Sequence, residues 1–315
     1  MIKNKLAIIV GKDGRPSMKG VYSKMENDSQ LLIRRRLETK HGINEYWRSY
    51  ANHNVNDFTK LLNISLNDQI VVRWGNCIEI PLNNCIIYNM SSAIARATNK
   101  KLSREMFIEK GLNCPKLITS QKDINQNTSF PIIARPIKHS KGKNFILLKS
   151  IHEYNAHVNT HNDWYYSEFV DKTNEYRLHI AHGRVLNYLE KPKPNDNQIA
   201  WNRALNEDPF VNVKWNDYNG KICSLAIRAL KALALDFGAV DIMLDKEGNA
   251  CLLEVNTAGT LVSSEYSMQR YAMYFDWLCK TNKRREHWEF KEFKKSSNYA
   301  WHEFHFEDRE PNKEV

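Results

Sequence analysis

The amino-acid sequence predicts a protein of mixed α/β and α+β class, built from more than one packed unit. Its 315 residues are enough for several hydrophobic cores. In the first third of the chain, short apolar runs alternate with helical stretches, which is typical of an α/β unit with a mainly parallel sheet. From Pro131 onward, strand pairs of the hairpin type dominate and amphipathic helices interrupt them.

Three apolar runs in the first third predict buried strands, at 5–10, 69–73 and 85–88. Residues 28–40 are expected to form a helix, because leucines recur among arginines there. A second helical stretch, 91–110, should break near Asn99 and stop at Gly111. This order of strands and helices supports the α/β assignment.

Strands in the rest of the chain are predicted at 132–135, 145–149, 164–170, 175–181, 184–190, 239–244 and 250–255. The first two form a hairpin whose loop, 139–144, is longer and more basic than a simple turn requires. Residues 220–238 repeat apolar positions about every 3.6 residues, as in a helix, and 263–280 predict a last amphipathic helix.

The composition is that of an ordinary globular protein, with 42% hydrophobic and 26% charged residues. No apolar run approaches the roughly 20 residues needed to span a bilayer, so no membrane partner is expected. Six scattered cysteines without a Cys-x-x-Cys pair indicate reduced thiols. The N-terminus does not resemble a signal peptide, and a cytoplasmic protein is expected.

The formal net charge of +10 favours acidic partners. A nucleotide, an acidic polypeptide and nucleic acid all remain open, as does a plain role in solubility. The basic residues form several clusters rather than one long stripe, which weighs against nucleic acid. The sequence leaves the oligomeric state open.

The strongest chemical signal lies in the last predicted pair of strands. Glu254 and Asn256 are two positions apart and share one face of a strand, while Asp241 lies on the other strand. Their neighbours are apolar, and a carboxylate in such a strand needs a compensating partner. Two carboxylates and an amide suit magnesium, which completes its coordination with phosphate and water. A solvated polar face is the alternative for any one of them.

The segments GAVDIML (238–244) and LLEVNT (252–257) resemble the magnesium-binding end of the ATP-grasp superfamily. This superfamily includes D-alanine–D-alanine ligase, glutathione synthetase and the ribosomal-protein glutamate ligases. The resemblance implies an ATP-grasp fold with an N-terminal pre-ATP-grasp α/β domain, and Asp241, Glu254 and Asn256 as metal ligands. The chain departs from the many members that continue Asn-x-x-Pro-Gly, because Thr-Ala-Gly follows Asn256.

The same resemblance implies cationic contacts to the phosphates of ATP. Lys100 matches a lysine that precedes a helix ending in Gly-Leu-x-x-Pro, and Lys101 is its solvated neighbour. Arg135 stands where the family usually has lysine before proline, and it keeps the charge and adds a bidentate fork. The loop 139–144 resembles the mobile phosphate lid of the family. Its predicted phosphate contacts are Ser140, Gly142 and Lys143.

The segment EFVD (168–171) resembles the linker that holds adenine, whose backbone reads the base edge. A plain core role remains open for Phe169. The segment EYR (175–177) follows, as in relatives, and would contact the ribose or order the site. The predicted nucleotide contacts of this region are Glu168, Phe169, Val170, Asp171, Glu175 and Arg177.

Arg135, Lys191 and Arg203 are the candidates for stabilising a developing acyl phosphate. Arg203 lies near the place where some ligases of the superfamily carry a transfer-stabilising arginine. Asn202 and Arg73 are the substrate candidates, and Arg73 at a strand end could hold a carboxylate. Surface charge remains the alternative for Lys191 and Arg203, and a structural role for Arg73.

The predicted organisation is a pre-ATP-grasp domain at 1–98, an ATP-grasp domain at 99–280 and a charged aromatic extension at 281–315. The ATP-grasp domain would contain a lid subdomain at about 110–167 and a C-terminal subdomain at about 168–280.

The resemblance implies an ATP-dependent carboxylate–amine ligase that forms a peptide or amide bond through an acyl phosphate. Its cofactors would be ATP and two Mg²⁺ ions, for which Mn²⁺ could substitute. The carboxylate would belong to a small molecule, an amino acid or a peptide, and an amine would be the acceptor. An ATP-grasp kinase or phosphotransferase and a non-catalytic nucleotide-binding module remain the alternatives.

Overall fold

A computed structural model describes residues 6–10, 15–25, 29–39, 42–50, 70–77, 85–124, 130–137, 145–191, 210–214, 217–259, 261 and 264–281. Within these ranges the chain forms three β-sheets and six α-helices. None of these helices is long and apolar enough to cross a membrane. The predicted domain boundaries at residues 98 and 280 stay predictions.

The strands of the N-terminal sheet are β1 (Leu6–Val10), β2 (Ser29–Thr39), β3 (Gly42–Tyr50), β4 (Ile70–Trp74) and β5 (Ile86–Tyr88). Their order is β3-β2-β1-β4-β5. β1 runs parallel to β2 and β4, and β4 runs parallel to β5, whereas β2 and β3 are antiparallel. The mainly parallel sheet is thereby confirmed.

The helix predicted at 28–40 is wrong, because β2 occupies these residues. Its backbone pairs with β1 from Ser29 to Ile33 and with β3 from Leu31 to Thr39. Leucine and arginine favour a helix by only a few tenths of a kcal/mol per residue. Tertiary context routinely overrides preferences of this size. Hydrogen bonding to neighbouring strands therefore decides the structure of this segment.

The helices are α1 (Arg15–Tyr22), α2 (Ser91–Thr98), α3 (Lys100–Glu109), α4 (Ile151–Val158), α5 (Gly220–Ala232) and α6 (Glu265–Thr281). The predicted break between α2 and α3 is confirmed at Asn99, whose side chain accepts a hydrogen bond from Leu102 N at 3.1 Å. α6 packs into the core of the N-terminal sheet, where Tyr271 meets Trp74 edge-on. α6 therefore packs the last described segment of the chain against the N-terminal sheet.

α5 ends at Ala232, so the helix predicted to reach residue 238 is too long. Ala234 adopts the left-handed conformation, and the N–H of Leu235 donates to the carbonyl of Leu230 at 3.0 Å. This is a helix end of the kind that usually has glycine. Because alanine stands there, the sequence carried no stop signal.

The second sheet contains β6 (Leu117–Ile118), β7 (Ile132–Pro136), β8 (Ile146–Leu148) and β9 (Trp164–Glu168), in the order β6-β9-β7-β8. The predicted hairpin is confirmed, since β7 and β8 are antiparallel. Its loop, 139–144, lies outside the described residues. α4 packs on this sheet through Tyr154, which meets Tyr166 edge-on.

The third sheet contains β10 (Lys172–Ala181), β11 (Arg184–Lys191), β12 (Val211–Asn212), β13 (Phe237–Asp245) and β14 (Ala250–Asn256). Its strands are antiparallel, in the order β12-β11-β10-β13-β14. α5 covers one face, and Leu230 packs in one cluster with Val240 and Ile242. The alternate positions of these strands, which include Arg177 and Asp241, point to the other face.

Candidate active site

Asp241 and Glu254 stand opposite each other on β13 and β14 because of a β-bulge. Asp241 pairs with Glu254, but the next residue, Ile242, pairs with Leu252, so Leu253 is the extra residue. Opposite residues of an antiparallel pair point to the same face. The bulge therefore brings the two carboxylates together, as bulges beside functional sites often re-aim side chains.

Asn256 joins the two carboxylates. Its Nδ2 lies 2.9 Å from Glu254 Oε1 and 3.1 Å from Asp241 Oδ2. Lys100 closes the other side, with Nζ 3.4 Å from Glu254 Oε2 and 3.0 Å from the carbonyl of Val255. The structure thus brings the three predicted metal ligands and the predicted phosphate lysine to one place.

The donor set of this place fits Mg²⁺. Two carboxylates and an amide oxygen are hard donors, and phosphate and water complete the octahedron of this ion. Among the described residues, no group of three or more His, Cys, Asp or Glu side chains could hold a metal. The fit therefore depends on Asn256. Its Nδ2 faces the two carboxylates, so its side-chain amide would have to turn over to present its oxygen to the metal.

Arg177 forms a bidentate ion pair with Asp241. Its Nε donates to Oδ1 and its Nη2 to Oδ2, both at 2.7 Å, and the side chains are 13% and 5% exposed. Burial by itself disfavours the guanidinium charge, but the pairing with Asp241 outweighs it and raises the pKa of Arg177. The structure places this residue against a metal ligand, so ordering the site is the better supported of its two predicted roles.

Glu175 lies between two lysines on the same face. Lys172 forms an ion pair with it, and Lys191 Nζ lies 3.8 Å from its Oε2. Lys191 stands opposite Glu175 on β11 and is only 4% exposed, so surface charge is excluded as its explanation. Its catalytic role stays a prediction.

A cavity lies beside these residues, between β7 of the second sheet and β13 and β14 of the third. Its lining includes Arg104, Ile133, Arg135, Phe169, Val170 and Met243. A lining that combines apolar and cationic side chains suits a base and its phosphates. Phe169 is half-buried in this wall, as the linker interpretation expects.

Glu168 holds the linker in place. Its N–H donates to the carbonyl of Lys116, and its carboxylate accepts from the N–H of Lys116, both at 3.0 Å. Asp171 instead pairs with Lys246 at 2.5 Å, with side chains 42% and 67% exposed. Asp171 is not part of the cavity lining, so the structure does not bring it to the predicted nucleotide contacts.

Two cationic residues of the cavity lining were not predicted from the sequence. Arg104 is 3% exposed and donates to the carbonyls of Leu252 at 3.3 Å and Leu253 at 2.9 Å. It follows Lys100 by four positions on α3, a spacing that places both on one side of the helix and could have indicated it. Lys172, the other one, is the first residue of β10 and precedes Glu175 by three positions.

Arg73 lies inside the N-terminal unit at the end of β4. It is 2% exposed, and its Nη1 donates to the carbonyl of Asn76 at 3.4 Å. Both the substrate role and the structural role remain open.

Five predicted site residues lie outside the described part of the chain, namely Ser140, Gly142, Lys143, Asn202 and Arg203.

Comparison with known proteins shows the fold. No family model matches the chain. A probable alpha-L-glutamate ligase from Desulfotalea psychrophila is 24% identical over 189 residues, which are 56% of this chain and 39% of that protein. The chain thus spans well under half the length of this curated relative.

Solved structures match much more of the chain. The ATP-grasp ligase PsnB, complexed with a minimal precursor, matches with a TM-score of 0.56 and 12% sequence identity. The match covers 90% of this chain and 100% of the PsnB chain. A RiPP-associated ATP-grasp ligase from Chryseobacterium gregarium, in complex with ADP and a leader and core peptide, covers 90%, with a TM-score of 0.57, 13% identity and 98% of that chain.

D-alanine–D-alanine ligase from Bacillus anthracis, complexed with ATP, covers 89% of this chain and 100% of its own, with a TM-score of 0.54 and 13% identity. These matches extend over the N-terminal sheet as well as the two later sheets. The chain therefore has the ATP-grasp fold, and the resemblance to this superfamily is confirmed at the level of the fold.

Proposed function

We propose that this chain is an ATP- and magnesium-dependent ligase that joins a carboxylate to an amine through an acyl phosphate. The observation that carries the proposal is the meeting of Asp241, Glu254, Asn256 and Lys100. A cavity with apolar walls lies close by, because its lining includes Leu253, the neighbour of Glu254. The ATP-grasp fold and the ligases that share it agree with this reading.

In this proposal the chain binds and orients ATP. Phe169, Val170 and Met243 enclose the base, and Arg135 and Lys100 contact phosphate oxygens. Asp241, Glu254 and Asn256 would hold Mg²⁺, two ions as the sequence resemblance implies, and the bound metal would neutralise phosphate charge.

The reaction needs no nucleophile from the protein. A carboxylate oxygen of the substrate attacks the γ-phosphorus and ADP leaves; the amine nitrogen then attacks the acyl carbon, and phosphate leaves with that oxygen. The buried thiols near the cavity do not compete, because burial raises the pKa of Cys114 and raises that of Cys251 to about 12. The protein acts by positioning and by electrostatic stabilisation.

The names of the similar proteins support one substrate class. The curated relative is named for a glutamate ligase, and two structural neighbours were solved with a precursor or a leader and core peptide. We therefore expect an amino acid or peptide as the carboxylate donor, and the net charge of +10 favours an acidic one.

The test is product analysis with an isotope-labelled carboxylate. The protein, ATP and Mg²⁺ are incubated with a panel of amino acids and peptides carrying ¹⁸O in the carboxylate, and products are identified by mass spectrometry. Ligation through an acyl phosphate yields ADP, an amide and phosphate with one ¹⁸O atom. Amide with unlabelled phosphate would exclude the acyl phosphate.

The same experiment separates the alternatives. A kinase would leave phosphate on its acceptor, and a nucleotide-binding module would yield no ADP. The Glu254→Gln variant serves as the control for background hydrolysis, because it keeps the shape of the side chain and removes the charge.

A further inference from the structure

We propose that Arg177 is an internal counter-cation of the metal site, which neutralises Asp241 before Mg²⁺ binds and turns to phosphate oxygens afterwards. The inference rests on the proposed Mg²⁺–ATP site and deepens it. It gives Arg177 a role in coupling metal binding to nucleotide binding, beyond a plain contact.

Three N–H groups contact the carboxylate of Asp241. Arg177 takes both oxygens at 2.7 Å, and Asn256 Nδ2 adds a contact to Oδ2 at 3.1 Å. Asp241 is 4% exposed, so water has little access to it. A metal ion that binds Asp241 must therefore either share these oxygens with the guanidinium or displace it.

The carboxylates of the site are paired without a metal. Asp241 pairs with Arg177, and Glu254 lies 3.4 Å from Lys100. Nearby, Glu175 faces Lys172 and Lys191, so every carboxylate of the site already has a cationic partner. Adding a divalent cation while these cations stay in place would put like charges side by side in a poorly solvated site. Arg177 is the cation that moves in this proposal, because its guanidinium contacts both oxygens of Asp241, one of the proposed metal ligands.

Arg177 has another contact to retain when the fork opens. Its guanidinium carbon lies 4.9 Å from the centre of the Phe210 ring, within the range of a cation–π interaction. A guanidinium fork also matches phosphate geometry, and triphosphate oxygens would replace the acceptor that Asp241 withdraws. When the metal binds without nucleotide, Arg177 loses Asp241 and gains no phosphate oxygen in its place. The metal alone therefore binds weakly.

The test measures metal binding without catalysis. Mn²⁺ alone is titrated by calorimetry into the wild-type protein and the Arg177→Gln variant, with and without a non-hydrolysable ATP analogue. Without nucleotide, we expect Arg177→Gln to bind Mn²⁺ about tenfold more tightly, within the ordinary range of coupling between sites. The analogue should tighten Mn²⁺ binding in the wild type by a larger factor than in the variant.

The matched control is Arg228→Gln, which removes an exposed arginine from α5 and should leave Mn²⁺ binding unchanged. Arg177→Lys is the second variant, for the case that the unpaired Asp241 prevents Arg177→Gln from folding. It keeps the charge but not the fork, and should give a smaller gain in Mn²⁺ affinity. A folded variant at position 177 that binds Mn²⁺ no more tightly than wild type would overturn the proposal.

A third measurement uses the wild-type protein alone. The Nε proton of Arg177, held by Asp241 Oδ1, should exchange with solvent faster in saturating Mg²⁺ without nucleotide, as seen by ¹⁵N NMR of arginine side chains. Unchanged protection would equally refute the exchange of partners. If the wild type makes product but fails these tests, only this inference is lost; if it makes no ADP, the proposed function fails while the Mn²⁺ comparison still stands.

Discussion

Gly75 and Ala258 touch where the N-terminal sheet meets the loop after β14: a Cβ atom placed on Gly75 would lie 2.5 Å from the Cβ atom of Ala258. Gly75 has a φ of +63° at the end of β4. The N-terminal unit thus fixes the loop in which the chain departs from the Asn-x-x-Pro-Gly pattern.

Replacement of Gly75 by alanine should therefore damage this contact. The left-handed backbone costs about 1–2 kcal/mol for a residue with a Cβ atom, and the overlap with Ala258 adds about 1–3 kcal/mol. Gly248→Ala is the matched control, because φ is +79° there and nothing lies within 4 Å. Urea unfolding should show a clearly larger loss of stability for Gly75→Ala. Equal losses would mean that the loop yields freely.

Glu254→Gln should abolish most turnover with little effect on folding. The carboxylate is 24% exposed and faces Lys100 at 3.4 Å, so the neutral amide can be accommodated. We expect turnover to fall by more than about 100-fold, the upper end for groups that only orient a metal ligand. Glu265→Gln, which removes an exposed carboxylate paired with Lys24, is the control and should keep full turnover. Near-normal turnover of Glu254→Gln at saturating Mg²⁺ would contradict the metal assignment.

Lys100→Ala and Arg135→Ala should each weaken ATP binding by about 1.5–3 kcal/mol, as expected for hydrogen bonds to charged groups. Arg135→Lys should lose less, because it retains a cation in the cavity lining. The control is Lys101→Ala. That side chain is 44% exposed, and its Nζ lies 4.0 Å from Glu105 Oε1, so it makes only a weak surface ion pair. Calorimetric titration with ATP decides the matter. Unchanged affinity in both alanine variants would refute the phosphate contacts.

His179 should make the protein sensitive to acid. Burial, and then the nearby charge of Arg177, lower its pKa to about 3 in the folded protein, whereas the unfolded chain has the ordinary value of about 6.5. As pH falls through this window, the unfolded chain takes up a proton that the folded protein refuses. His179 therefore reduces the free energy of unfolding by up to about 1.4 kcal/mol per pH unit.

The His179→Gln variant isolates this contribution from those of other groups. Free energies of unfolding of variant and wild type should run parallel above pH 7 and draw together between about pH 6.5 and pH 4. Denaturant unfolding at a series of pH values measures the difference. Parallel curves over the whole range would show that His179 takes no part in the acid response.

The sequence indicated those parts of the site that follow from local spacing. Glu254 and Asn256 share a face because they are two residues apart on one strand, and Asn99 breaks the helix because its side chain caps the next one. Side-chain alternation and capping act over a few residues, so they can be read from the chain without its partners. The position of Lys100 at the start of α3 follows from the same local signals.

The tertiary structure alone decided which residues meet across the strands. The extra residue at Leu253 puts Glu254 opposite Asp241, and the register of β10 with β13 puts Arg177 there as well. A shift of one residue in either pairing would turn these side chains away. Register and bulges depend on hydrogen bonds between strands, which the propensities of single residues do not encode. Pairing with β1 and β3 likewise made β2 a strand where local propensity favours a helix.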